Sequence, residues 1–331
     1  MSYSQVRVIT HNRAPVRYEV GQLLGMGGYG ATFQATAINL LTGANNQVAI
    51  KFVFPSDTVS YSDAILEADN YAKVADIAVS AGITTISCQV NLVCFHTSDV
   101  ITPNQATEYQ HIFSLLQSVV SQPGALIQAK QLDPNKPIVY IVTDFLSGHS
   151  LGQLIRDYRQ TGLVPTENEL KRFLYDTLTG LNYLRNKGIS HRDLKPENII
   201  RTDSGRYVII DFGLICSSRT CSTISTISTK YYTPSEQLVL QTSGYKIPFQ
   251  LAIAGDIFAL GKTLIEYGLS QRLLKLDNLA GIEIFKPTTI PLLDPVAYPT
   301  VETFVNEMLL DYNYIACDPD GYNRLLARLL V

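Results

Sequence analysis

An α+β chain is predicted, with strands gathered in its first part and helices filling most of the rest. Three observations predict this. Between Tyr18 and Phe54, β-branched and aromatic residues are punctuated by glycine and asparagine turns, a strand pattern. From Ser150 to Lys187 the apolar residues recur with a helical period. After the polar stretch His191 to Asn198, two apolar runs flank Asp203-Ser204-Gly205, which reads as a strand pair closed by a turn and leading into Asp211.

The composition bounds what such a chain can do. It has 331 residues, 46% of them hydrophobic and 17% charged, ample for a core in one two-lobed domain or two small ones. A net charge of −3 gives no basic field for nucleic acid or an acidic membrane surface, so neither is an expected partner. The five cysteines (Cys88, Cys94, Cys216, Cys221, Cys317) form no CxxC pair and read as reduced thiols in a cytosol-like compartment. No apolar run is long enough for a membrane span, and Met1 to Arg17 lacks the apolar segment of a secretory signal. The expectation is a cytoplasmic protein, or one acting in a host-cell cytosol if secreted or viral.

The elements follow in order. Residues 1–17 read as an N-terminal arm. Gly25, Gly27 and Gly30 have GxGxxG spacing, with Gly28 between them. Glycines let backbone N–H groups approach phosphate closely. The spacing alone fits a plain hairpin turn equally well. A dinucleotide-binding turn would need a helix next, whereas Ala31 to Thr36 is rich in strand formers. In the run Gln47 to Phe54, Lys51 is either a solvated lysine or a partly buried ammonium that must be paired. Ser62 to Ala78 reads as a helix carrying Glu67, the candidate partner of Lys51, with Asp63 and Asp69 as rivals.

Asn91 to Phe95 and Pro137 to Val142 read as strands, separated by roughly forty residues where a short hairpin would suffice. This insertion, about residues 97–136, holds a candidate helix at Glu108 to Val120. It is either a surface excursion packed on the sheet or a docking element for a regulatory partner. Helices follow at Ser150 to Tyr158 and Thr166 to Lys187. The second has a capping-box start at Thr166-Glu167-Asn168-Glu169, an apolar stripe from Leu170 to Leu184, and Gly188 at its end.

The chemistry concentrates at His191-Arg192-Asp193-Leu194-Lys195-Pro196-Glu197-Asn198 and Asp211-Phe212-Gly213. Asp193 can accept a proton from an incoming hydroxyl, and Lys195 can neutralise a phosphoryl group in flight. Asn198 and Asp211 are hard oxygen ligands for Mg²⁺. Positioning and charge neutralisation are what phosphoryl transfer needs. His191 reads as a packed structural histidine.

These residues carry a resemblance. The loop from His191 to Asn198, the Asp211-Phe212-Gly213 triplet, Val48-Ala49-Ile50-Lys51, and the glycine spacing together resemble the eukaryotic-type (Hanks-type) serine/threonine protein kinases, with a bacterial flavour at Tyr232 to Gln237. The resemblance runs in register from about Tyr18 to Gly261. It implies a bilobal kinase fold: an antiparallel five-stranded N-lobe at 18–145 and a mostly helical C-lobe at 146–331. It implies ATP and Mg²⁺, and protein hydroxyls as substrates. In that frame Asp193 and Lys195 are catalytic, and Asn198 and Asp211 hold metal. Gly25, Gly27, Gly28, Gly30, Thr32, Ala49, Lys51, Glu67, Thr143, Asp144, Leu146 and Ile200 bind ATP, the segment Thr143 to Gly148 through its backbone. Thr143 lines the back of the adenine pocket.

The resemblance also implies an activation loop after Gly213, with Ser225 the first candidate phosphosite and Thr223 and Thr226 beside it, its phosphoester pairing with Arg192. Glu236 would pair with Arg324 or Arg328. Asp256, where an apolar helix opens, suits an N-terminal cap, and the resemblance has it hold the catalytic-loop backbone. Two other readings stay open: a kinase-like module without turnover, and a small-molecule kinase of related fold.

Overall fold

The structure is a computed structural model that describes residues 6–10, 15–27, 29–56, 61–80, 83–87, 91–121, 132–217, 232–234, 237 and 247–268. The chain divides into two compact units, one of Met1–Gln89 with Val93–Leu146, the other of Val90–Leu92 with Ser147–Val331.

The first unit is built on an antiparallel sheet. Val16–Met26 (β2), Gly30–Asn39 (β3) and Asn45–Val53 (β4) follow Val6–Thr10 (β1); Phe95–Ile101 (β7) and Ile138–Asp144 (β8) complete the order β1-β2-β3-β4-β8-β7. The five expected strands are therefore joined by a sixth. The stretch read as an arm pairs along β2, from Val6 opposite Val20 to Thr10 opposite Val16. Between β2 and β3 the turn is closed by the Gly27 N–H donating to Gly30 O at 2.9 Å. A strand follows the glycines, as Ala31 to Thr36 suggested. Gly30 itself is sterically required, because a Cβ there would lie 2.6 Å from Phe52 O on β4.

Helix α1 spans Tyr61–Val74 and stops short of Ala78. Asp76–Ser80 (β5) and Ile83–Ser87 (β6) form a hairpin instead. The strand expected at Asn91 to Phe95 begins only at Phe95. Asn91 has φ +70°, a turn conformation, and its carbonyl accepts from Ile209 N–H in the second unit, to which it belongs. The insertion accordingly starts after Ile101.

Its helix, Ala106–Val120 (α2), is amphipathic, and its apolar face is part of the core. Tyr109, Ile112, Leu116 and Val119 are fully buried, in one cluster with Tyr18, Phe33, Phe52 and Tyr140 of the sheet. Tyr109 Oη donates to Lys136 O at 2.7 Å, tying α2 to the chain entering β8. Burial, reinforced by Asp133, pushes the Tyr109 phenol up to about 12. The helix of the insertion is a packed layer on the sheet.

The second unit is mainly helical. Gly148–Ser150 (β9) leads into Leu151–Thr161 (α3), capped by Ser150 Oγ accepting from Gln153 N–H. Helix α4, Glu167–Asn186, has the predicted capping box: Glu169 N–H donates to Thr166 Oγ1 at 3.2 Å and Thr166 N–H to Glu169 Oε2 at 2.9 Å. Gly188, at φ +70°, ends it. Ile189–Ser190 (β10) pairs with Cys216–Ser217 (β13), and Ile199–Thr202 (β11) with Tyr207–Ile209 (β12) and β9.

Helix α5, Phe249–Gly268, packs against α3 and α4. It begins seven residues before Asp256, which is thus an interior residue and not the cap the sequence suggested. Among the described residues, no helix is long and apolar enough to cross a membrane.

If α2 belongs to the core, truncating its buried face must cost what a core cavity costs. Leu116→Ala should lower unfolding free energy by about 2–5 kcal/mol. Gln117→Ala, on the exposed face, should change it by no more than about 0.5 kcal/mol. Urea unfolding measures both.

Candidate active site

One buried carboxylate organises the loop that carries the chemistry. Asp256 is 3% exposed and accepts three hydrogen bonds: Ser190 Oγ at 2.8 Å, His191 N–H at 2.8 Å, and Arg192 N–H at 2.7 Å. Burial pushes its carboxyl up, opposed by His191 and by these donors. The bonds fix the backbone just before Asp193 and hold Arg192 at φ +66°, where a non-glycine residue pays a conformational cost. His191 is fully buried, and its ring Nε2 sits 3.2 Å from Ile210 O, the packed structural role expected of it. Burial lowers the Arg192 pKa, with Asp256 pulling it back up.

The polar cluster follows. Asp193 Oδ2 is 2.6 Å from Lys195 Nζ. Asn198, 5% exposed, donates from Nδ2 to Asp193 O at 2.8 Å and to Asp193 Oδ2 at 3.0 Å. Both bonds use the amide nitrogen, so the amide oxygen is the atom that could serve a cation. A single 3₁₀ turn, Pro196–Asn198, then passes into β11. The hairpin β11–β12 pairs Ile199 with Ile209, and Ile210 N–H donates to Asn198 O at 2.9 Å. This register delivers Asn198 and Asp211 to the same end of the hairpin. Asp211 holds φ +66° and accepts from Gly213 N–H at 3.3 Å. An amide oxygen and a carboxylate so placed are a donor set that suits Mg²⁺.

In the first unit, Lys51 Nζ lies 2.5 Å from Glu67 Oε1. Their side chains are 19% and 11% exposed, so the pair is largely withdrawn from water. Of the three carboxylates considered on α1, Glu67 is the buried one; Asp63 and Asp69 are exposed. Thr32 stands opposite Lys51, and Ala49 opposite Thr143, in the sheet register. Gly25, near the end of β2 opposite Thr32, and Gly27, on the turn, are exposed, and Gly30 is buried. Asp144 Oδ1 is 2.6 Å from His96 Nε2. Leu146 ends the first unit, and Ile200 lies on β11 in the second, paired with Ser150. Gly28, Thr223, Ser225, Thr226, Glu236, Arg324 and Arg328 lie outside the described residues.

Sequence reasoning missed how the segment at Tyr232 to Gln237 is fastened. Tyr232 Oη donates to Glu266 Oε2 at 2.5 Å, and Arg159 Nη2 to Glu266 Oε1 at 3.0 Å. Gln237 Nε2 donates to Leu251 O at 2.5 Å. Gly255 makes room for this, since a Cβ there would lie 2.3 Å from that nitrogen. Both ends of the segment are thus anchored on α5, and Tyr232, Thr233 and Pro234 share a cavity with Arg192 and Asp193. A signal existed: α5 is apolar and carries only three charged residues, Asp256, Lys262 and Glu266. Cys94 is held in a disulfide and so is Cys216, which departs from the reading of five reduced thiols. Scattered cysteines carry no pairing information in their spacing.

Asp256→Ala would strand three buried donors, and each such loss costs about 1–3 kcal/mol. The variant should lose on the order of 3 kcal/mol or more of stability by urea unfolding, and amide exchange at His191 and Arg192 should accelerate.

Comparison with known proteins agrees with this geometry. A model of the protein kinase domain matches residues 96–303. The match begins after the glycine turn, Lys51 and Glu67. Serine/threonine-protein kinase D of Synechocystis sp. is 28% identical over 263 residues, 78% of this chain and 41% of that protein. Serine/threonine-protein kinase B of the same organism is 26% identical, over 75% of this chain and 36% of that protein. The MAP kinase kinase MKK1/SSP32 of Saccharomyces cerevisiae is 28% identical, over 50% of this chain and 32% of that protein. The chain therefore spans less than half the length of these relatives. With the family model covering well over half of its residues, the chain belongs to the protein kinase domain family.

Proposed function

We propose that this chain transfers the γ-phosphate of ATP to serine or threonine hydroxyls of protein substrates. The observation that carries this reading is the cluster of Asp193, Lys195 and Asn198, with Asp211 delivered beside it by the hairpin register. Asp193 orients the acceptor hydroxyl and takes its proton. Lys195, a compact ammonium on a flexible stem now 2.6 Å from that carboxylate, neutralises charge on the phosphoryl group. Asn198 and Asp211 would hold Mg²⁺ through their oxygens. When bound, the ion neutralises the charge on the phosphate oxygens.

Lys51, oriented by Glu67 at 2.5 Å, places the α- and β-phosphates. Gly25, Gly27, Gly28 and Gly30 let backbone N–H groups face them, and the backbone from Thr143 to Leu146 meets the adenine edge. Thr32, Ala49 and Ile200 supply apolar and small contacts to the nucleotide. The segment from Tyr232 to Gln237, anchored at both ends on α5, resembles the part of the kinase pattern that serves peptide substrates, which favours a peptide over a small metabolite. The relatives' names, serine/threonine-protein kinases D and B, point to the same acceptor class.

Radiolabelled ATP with a peptide array and a panel of small hydroxylated acceptors tests this. Wild type should label serine- and threonine-containing peptides. Asp193→Ala, with nucleotide binding retained, should lose about 10²–10⁴-fold of the rate. Labelling confined to small acceptors, or none by a wild type that binds ATP, would overturn the reading.

A further inference from the structure

A second cluster of ligating groups lies in the first unit, and the phosphoryl transfer proposed above uses none of its side chains. Cys94 Sγ, a ring nitrogen of His96 and a carboxylate oxygen of Asp144 all lie within 4.8 Å of one another. The backbone brings them there. Asp144 N–H donates to Cys94 O at 3.0 Å, and Phe95 pairs with Thr143. The register then slips between Phe95 and Thr97, so His96 is the extra residue of a bulge. A bulge re-aims the side chain it carries. Here it brings His96 Nε2 to 2.6 Å from Asp144 Oδ1.

Cys94 is 5% exposed, whereas the side chains of His96 and Asp144 are 43% and 45% exposed, so the cluster has a buried sulfur floor and an open, wet rim. Sulfur, imidazole and carboxylate together are a zinc-type set, too soft for Mg²⁺ or Ca²⁺. A tetrahedral zinc ion holds such atoms roughly 3.4–3.6 Å apart. The His96–Asp144 contact would open by about 0.7–1 Å, and the sulfur, within 4.8 Å of both, would need to close by at most about 1.4 Å.

In this structure Cys94 is disulfide-bonded, so its sulfur is not a thiolate. We propose that reduction of this disulfide turns Cys94, His96 and Asp144 into a three-ligand site for zinc. A cellular dithiol supplies the two electrons and two protons that convert the S–S bond into two thiols, and leaves as its own disulfide. Metal binding then displaces the Cys94 proton to solvent. A thiolate, a neutral imidazole and a carboxylate balance the 2+ charge, and the fourth position is left to water. The ion would pin the start of β7 to the last residue of β8. Redox state selects between two covalent arrangements of one sulfur, a disulfide or a metal thiolate.

Cobalt(II), a spectroscopic substitute for zinc, tests this on the full chain, reduced and metal-free. Reduced wild type should show a thiolate-to-cobalt charge-transfer band that zinc abolishes, and the oxidised chain should show none. Cys94→Ser should lose the band. His96→Gln, a half-exposed site, should weaken cobalt binding by about tenfold or more. Circular dichroism of both metal-free variants checks that they fold. No band in reduced wild type, an undiminished band in Cys94→Ser, unchanged affinity in His96→Gln, or equal binding by the oxidised chain would each overturn the proposal.

Discussion

The buried carboxylate of Asp256 is the constraint on which the second unit's chemistry depends. A charge with almost no exposure survives in a protein interior only when its oxygens are fully engaged. Asp256 achieves this with two backbone N–H groups and one hydroxyl, all from Ser190 to Arg192. The consequence is geometric. Three consecutive residues are held to one helix, Arg192 is kept at positive φ, and Asp193 leaves that anchor in a fixed direction. The next fixed point is the β11–β12 hairpin, whose register sets Asn198 and Asp211. Between the two anchors, Asp193, Lys195 and Asn198 have little choice but to share hydrogen bonds.

The first unit solves a related problem differently. An ammonium within an apolar strand needs an opposite charge, and Lys51 receives it from a helix, not from its own sheet. The register of α1 decides which carboxylate arrives. Glu67 shares the buried face with Ala64, Ala68 and Tyr71, while Asp63 and Asp69 point to solvent. On the sheet's other apolar surface, α2 buries Ile112, Leu116 and Val119 with Phe33 and Phe52. The inserted helix is therefore part of what keeps the sheet, and with it the Lys51 strand, in place.

Much of this was legible in the sequence, for identifiable reasons. The capping box at Thr166 and the stop at Gly188 are local signals, and local signals survive folding. The reactive loop was legible because its residue types are chemically specific. What escaped was decided by tertiary context. Asp76 to Ser80 continues a helical spacing of alanines as readily as it alternates as a strand, and a short run cannot arbitrate between the two. Leu92 to Cys94 is a continuous apolar run that is buried without being a strand. Val6 to Thr10 does alternate, but its partner strand decides whether it pairs. Asp256 reads as a cap because an apolar run begins just after it. Gly255 is instead an interior helix residue whose missing side chain admits Gln237, a contact between residues far apart in sequence.

The central claim is that Asn198 and Asp211 form the metal end of a phosphoryl-transfer site anchored by Asp256. Calorimetric titration with ATP, in magnesium and again in a chelator, tests it most directly. Wild type should bind ATP more tightly with magnesium, and Asp211→Asn should lose most of that difference while still binding the metal-free nucleotide weakly. A variant whose ATP affinity responds to magnesium as strongly as wild type would contradict the account.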